Sequence, residues 1–201
     1  MKVIGITGPT GAGKTTALRE IEKLGGCVLD ADAVYHRLLE HDPALQGELE
    51  ARFGPLRDKA GQIDRKKLGN VVFRDPAALA DLNAIAHRYV GRELDRRLAE
   101  AEASGCPLAA IDAIALLESG AGARCHTTVA ITAPPEVRVR RIMAREGISE
   151  EYARSRVTAQ KPDSYYIDGC GYALVNDCAS AEEFAARARA LFQRILEEKP
   201  G

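Results

Sequence analysis

Residues 8–15 read GPTGAGKT, so Gly8, Gly13, Lys14 and Thr15 satisfy the spacing G-x-x-x-x-G-K-[ST]. Glycines at this spacing let backbone N–H groups converge on a concavity that fits phosphate oxygens, because no Cβ stands in the way. Gly8, Gly11, Ala12, Gly13, Lys14, Thr15 and Thr16 are therefore the expected cradle of a nucleotide polyphosphate. Lys14 is expected on the β- and γ-phosphates and the Thr15 hydroxyl on Mg²⁺. A helix beginning near Lys14 would add the positive end of its dipole. The alternative is a glycine-rich turn that carries a lysine. The apolar run VIGI before the loop and the helical pattern after it favour the cradle.

A second group of chemistry-bearing residues is VLDADAVYHRLLE, with Asp30 and Asp32 two positions apart. If a strand runs through both, its period of two sends both carboxylates to one side. One would then act on a substrate hydroxyl while the other orients Mg²⁺ or its water shell. The competing reading is that Asp32 caps a helix starting at Ala33. Arg138, Arg141 and Arg145 recur at i, i+3 and i+7 on a helix expected over about 135–146. Such a cluster is either a solvated face or a lid of cations against developing phosphate charge. Arg141 and Arg145 are expected in the lid, Arg138 is open, and Arg140 on the opposite face is expected in solvent. Asp112 either organises Mg²⁺ or caps the next segment. Asp64 and Arg65 either pair locally or contact substrate.

These residues need a scaffold that brings strand ends together. Five short apolar runs supply it: KVIGIT (2–7), CVLD (27–30), PLAAID (107–112), TTVAIT (127–132) and YALVN (172–176). Helical periodicity lies between them, as in KTTALREIEKLGG, which ends on paired glycines. The alternation predicts an α/β fold, a doubly wound parallel sheet of about five strands within one domain over 1–201. Residues 35 to about 105 are expected as a helical subdomain and 134–166 as a lid region. The last helix, 180–198, opens with Ser180 and Glu183 at capping-box spacing.

Composition narrows the partners. The 201 residues carry 28 Lys and Arg against 29 Asp and Glu, and 46% are hydrophobic. A net charge of −1 argues against nucleic-acid or membrane-surface binding, which draws on a basic excess. No run approaches the roughly 18 apolar residues of a membrane span. Five cysteines without a C-x-x-C pair read as reduced, mostly buried thiols, which implies a cytoplasmic protein. No N-K-x-D occurs anywhere, so a guanine-reading switch protein is not expected.

Taken together, the motifs resemble those of the dephospho-CoA kinase family of P-loop kinases. Beyond the glycine loop and DAD, the likeness includes GQIDRKKLGNVVFRDP (61–76), LNAIAH (82–87), IDAIALLESG (111–120) and RRIMAREGISEEYARSRVTAQ (140–160). The resemblance implies ATP- and Mg²⁺-dependent phosphorylation of the ribose 3′-hydroxyl of dephospho-CoA, a small-molecule substrate. It matches Asp32 to the proposed general base, Asp30 to its companion, and Arg141 and Arg145 to the lid arginines. Residues 35–105 correspond to the acceptor-shaping insertion, and Asp32 and His87 are the expected acceptor contacts, His87 as a packed, hydrogen-bonded histidine rather than a catalyst. The chain departs from the family pattern at Arg88, Ile114 and Ala115 and over 161–171. Two rival functions share the scaffold: another small-metabolite kinase of nucleotide or shikimate type, and a nucleotide-binding regulatory module without phosphotransfer.

Overall fold

The structure is a computed structural model and describes residues 1–198. One sheet contains β1 (Lys2–Thr7), β2 (Cys27–Asp30), β3 (Leu108–Asp112), β4 (Thr127–Thr132) and β5 (Tyr172–Val175). The strands stand in the order β2-β3-β1-β4-β5. The register sets Ile6 against Asp112 and Val129, and Thr132 against Val175. All five strands fall within one residue of the apolar runs read from the sequence. Strands covered on both faces have no need of polar alternation, so they read as continuous hydrophobic stretches. Parallel neighbours demand crossover connections, and the helices among them are α1 (Lys14–Lys23), α2 (Ala31–His41), α3 (Pro43–Phe53), α4 (Arg65–Val72), α5 (Pro76–Ala103), α6 (Pro135–Glu146), α7 (Glu150–Thr158) and α8 (Asp163–Gly169), while α9 (Ala181–Glu197) follows the last strand.

The chain divides into two compact units, Met1–Leu29 with the chain from Glu100 onward, and Asp30–Ala99. The core of the first joins Ile4 and Ile6 of β1, Ile21 of α1, Ile131 of β4, and Phe184, Ala188, Phe192 and Ile195 of α9. Burying each large side chain contributes roughly 1.5–3 kcal/mol. The α9 residues repeat every three or four positions and form one apolar stripe. Ser180 Oγ accepts the Glu183 amide at 3.1 Å, and Glu183 reaches back to the Ala179 amide at 3.1 Å. The cap is thus one residue wider than the standard box. At the end of α1, Gly26 N–H donates to Ile21 at 3.0 Å and Gly25 N–H to Glu22 at 3.0 Å. That pattern is a Schellman stop, with Gly25 at φ 79°.

Past Asp30 at the end of β2, the second unit holds α2 to α5, joined by loops, the longest of which (54–64) is pinned by one isolated bridge between Arg57 and Ile63. Its core is Leu45, Leu49, Leu56, Ile63, Leu68, Val72 and Ile85. Asp30, Asp42 and Asp64 start α2, α3 and α4 by accepting backbone amides two or three residues on. Helical structure begins at Ala31, four residues before the expected boundary at 35. The five thiols are free, and all are half-buried rather than mostly buried. Burial pushes Cys125 up to about 12. Among the described residues no helix is long and apolar enough to cross a membrane.

Candidate active site

The glycine loop leaves β1 and enters α1, as the sequence requires. Gly8, Gly11 and Gly13 have φ of 141°, 83° and 108°, conformations that residues with a Cβ rarely adopt. The loop is also too tight for side chains. A Cβ on Gly8 would stand 1.9 Å from the Ile131 carbonyl oxygen, and one on Gly13 would stand 2.3 Å from Asn176 Nδ2. Ala12 between them is fully buried. Lys14 Nζ donates to the Gly8 carbonyl at 2.9 Å, so the ammonium curls over the bend. Thr15 is exposed in the first turn of α1, and Thr16 is half-buried.

Four side chains brace this loop from outside, and two of them, Gln160 and Asn176, have no clear sequence signal. Arg138, 3% exposed, donates Nε to the Thr10 carbonyl at 3.0 Å and also bonds to Gln160 Oε1. Gln160 in turn accepts the Thr10 amide at 3.2 Å. The question left open for Arg138 resolves into a buried brace. Asn176, directly after β5, donates Nδ2 to the Ala12 carbonyl at 2.8 Å and accepts from Arg141 Nη2 at 3.1 Å. Arg141 also donates Nη1 to the Gly11 and Ala12 carbonyls, each at 3.3 Å. Burial holds the Arg138 and Arg141 guanidiniums below the ordinary arginine range. Arg140 is exposed, as expected.

A cavity of about 340 Å³ opens over the loop, lined by Pro9 to Thr15 with Ile114, Arg141, Arg145 and Arg156. Arg156 was not singled out from the sequence, because one arginine in the charged run EEYARSR carries no distinguishing mark. Adjacent lies a hollow of about 300 Å³ lined by Thr16, Asn176, Cys178, Ser180 and Phe184 among others. Thr7 Oγ1 donates to the Ile114 carbonyl at 3.1 Å. On the Ile114 side that bond uses only the backbone carbonyl, so it tolerates isoleucine at a departing position. Asp112 closes β3 beside β1.

The carboxylate pair lies in the other unit. The strand ends at Asp30 and α2 starts at Ala31, so period-two alternation does not relate Asp30 to Asp32. Asp30 is the cap, accepting the Ala33 amide at 2.9 Å. The capping role considered for Asp32 therefore belongs to Asp30, because the helix begins two residues earlier than Ala33. Asp32 sits in the first turn of α2, exposed, where the helix dipole favours a carboxylate. His87 is half-buried in the middle of α5. Asp64 caps α4 through the Lys66 and Lys67 amides, and Arg65 pairs with Glu40 at 3.4 Å; no Asp64–Arg65 ion pair forms. Arg88 donates Nη2 to Glu48 Oε1 and stacks 5.5 Å from the Tyr89 ring.

The sequence profile described as dephospho-CoA kinase matches residues 2–182. The chain belongs to the dephospho-CoA kinase family. A dephospho-CoA kinase of Geobacter sulfurreducens is 38% identical over 165 residues, covering 81% of this chain and 83% of its own. That of Geobacter metallireducens is 34% identical over 203 residues and covers both chains fully. Among solved structures, dephospho-CoA kinase from Campylobacter jejuni superposes with a TM-score of 0.69 at 24% identity, covering 98% of each chain. A shikimate kinase from Bacteroides thetaiotaomicron reaches 0.54 at 18% identity and shares the fold alone. The protein is thus a kinase with the parallel sheet of P-loop kinases.

Proposed function

We propose that this kinase transfers the γ-phosphoryl group of ATP to the ribose 3′-hydroxyl of dephospho-CoA, giving CoA and ADP. The observation that carries the donor half is the loop itself, three positive-φ glycines closed on buried braces under a cavity lined by Lys14, Arg141, Arg145 and Arg156. Family membership supports the acceptor. Phosphoryl transfer asks for positioned groups and neutralised charge more than for covalent help. Loop amides and Lys14 hold the β- and γ-phosphates. Arg145 and Arg156 approach the transferring group, while Arg141 fixes the loop carbonyls behind it. Asp32 orients the acceptor hydroxyl and takes its proton.

Mg²⁺ fits the residues present. Among the described residues no cluster of three His, Cys, Asp or Glu could cage a metal, and Mg²⁺ on a nucleotide needs no such cage. It keeps waters and phosphate oxygens and takes one or two protein ligands. Thr15, with a carboxylate such as Asp30 or Asp112, would hold it. When bound it would neutralise charge on the phosphates.

An acceptor panel with purified protein and Mg·ATP tests this reading by ADP release. Dephospho-CoA should stimulate release well above nucleosides, nucleotides and shikimate. Faster turnover with one of those would reassign the acceptor. Tight ATP binding with no stimulated release would make the protein a binding module.

A further inference from the structure

Glu146 is the last residue of α6, and each of its oxygens serves a different arginine. Oε1 accepts from Arg145 Nη2 at 2.6 Å, and Oε2 accepts from Arg156 of α7. Both arginines line the cavity over the glycine loop. We propose that Glu146 is a positioning residue that holds Arg145 and Arg156 as a pair at that cavity. The proposal rests on the reading that the cavity receives phosphates.

Stability alone gives no reason for a carboxylate at this place. The last turn of a helix presents unpaired carbonyls, and its dipole disfavours an anion there. The contact between α6 and α7 is already made by Val139 and Ile142 against Ala153 and Val157. A second tie joins the same two helices. Arg154 forks onto Glu136 at 2.7 and 2.8 Å, and Glu136 sits in the favoured first turn of α6. Neither Glu136 nor Arg154 lines the cavity. The two ties therefore differ in the one respect that matters for function. The outer one joins helices, and the inner one joins two cations that face the loop.

Two guanidiniums at one cavity repel, and each long side chain loses rotamer freedom when it is fixed. A carboxylate shared between them offsets the repulsion and sets both orientations before a nucleotide arrives. Preorganised cations are worth most where charge develops in the transition state. Removing Glu146 should therefore lower kcat and leave ATP recognition, held mainly by the loop, little changed.

The test uses the full chain with Glu146→Ala, Glu136→Ala, Arg145→Ala, Arg156→Ala and the double variant Glu146→Ala/Arg156→Ala. Glu146→Ala should reduce kcat about tenfold and change KM for ATP less than about threefold. Glu136→Ala should stay within about twofold of the parent in both. The double variant should lose less than the product of the two single losses, because part of the effect of Glu146 acts through Arg156 and the rest through Arg145. Equal losses in the two glutamate variants, multiplied losses in the double variant, or an unchanged kcat in Glu146→Ala would each overturn the proposal. If Arg145→Ala and Arg156→Ala also leave kcat unchanged, the phosphate reading of the arginines falls with it. If those two slow the enzyme and Glu146→Ala does not, only the positioning role falls. Should Glu146→Ala unfold, Glu146→Gln keeps the side chain's size, removes its charge, and faces the same criteria.

Discussion

In the unit that carries the glycine loop, charged and amide side chains turn inward and bond to backbone. Arg138 and Asn176 are each 3% exposed, and their donors reach the carbonyls of Thr10 and Ala12. In the unit Asp30–Ala99 one amide, Gln46, is buried on the Leu39 and Glu40 carbonyls, while the arginines stay at the surface and pair with carboxylates. Arg52 meets Asp81 at 2.7 Å, Arg88 meets Glu48, and Glu93 accepts from Arg96 and Arg97. The difference is one of constraint. A buried guanidinium that loses its carbonyl pays the full cost of desolvation, whereas an exposed pair contributes little and can drift in sequence. The loop unit is accordingly built to hold one geometry, and the helical unit to tolerate many.

Lys14→Ala sharpens this contrast most. It removes a cation from the rigid side, where the loss cannot be made up by solvent. The transfer rate should fall on the order of 10³-fold, with the far-ultraviolet circular dichroism of the parent retained. A rate within tenfold of the parent would detach the loop from the chemistry. Asp32→Asn probes the tolerant side, since Asp32 is exposed in the first turn of α2. As an acceptor-side base it should cost about 10²-fold in kcat with KM for ATP nearly unchanged. Parallel losses in kcat and ATP affinity would make it a metal or structural residue.

The same contrast explains what could be read in advance. The central strands β1, β3 and β4 were legible because buried parallel strands admit few polar residues, and the less buried β2 and β5 because their short runs are still apolar. The loop was legible because its glycines answer a backbone demand that no other residue meets. Asn176 and Gln160 were not. Each acts through a single amide group on a carbonyl or amide far away in sequence, and nothing local marks an amide side chain as a brace. Arg156 was hidden among neighbouring charges for a similar reason. The DAD reading went astray by two residues, because the choice between a longer strand and an earlier helix start turns on whether Asp30 caps, and either aspartate could do so.

Gly8→Ala tests how rigid the loop unit is. The new Cβ would meet the Ile131 carbonyl at 1.9 Å with φ at 141°, so β1 and β4 must part or the loop must rebuild. Destabilisation of about 3 kcal/mol or more is expected, measured as a lowered urea midpoint at unchanged slope. A loss under about 1 kcal/mol would mean that the bend has room to move, and would weaken the claim that these glycines fix a single geometry.

The smallest effect belongs to the helical unit and concerns pH. Hydrogen bonds from Arg96, and then from Arg97, hold the Glu93 carboxyl well below its ordinary range, at about 2. A depressed carboxylate contributes stability above its unfolded value near 4.5, and loses it as pH falls from there towards about 2. Both partners lie one helical turn away on α5, and solvent screening limits such pairs to about 0.5 kcal/mol each. The parent should therefore exceed Glu93→Gln in unfolding free energy by about 1 kcal/mol at most at pH 7. That margin should close as pH is lowered from 4.5 to 2.5. A constant margin across this range would show that the Glu93 charge is not what holds its arginines, and that the surface pairs of this unit contribute through packing of their stems instead.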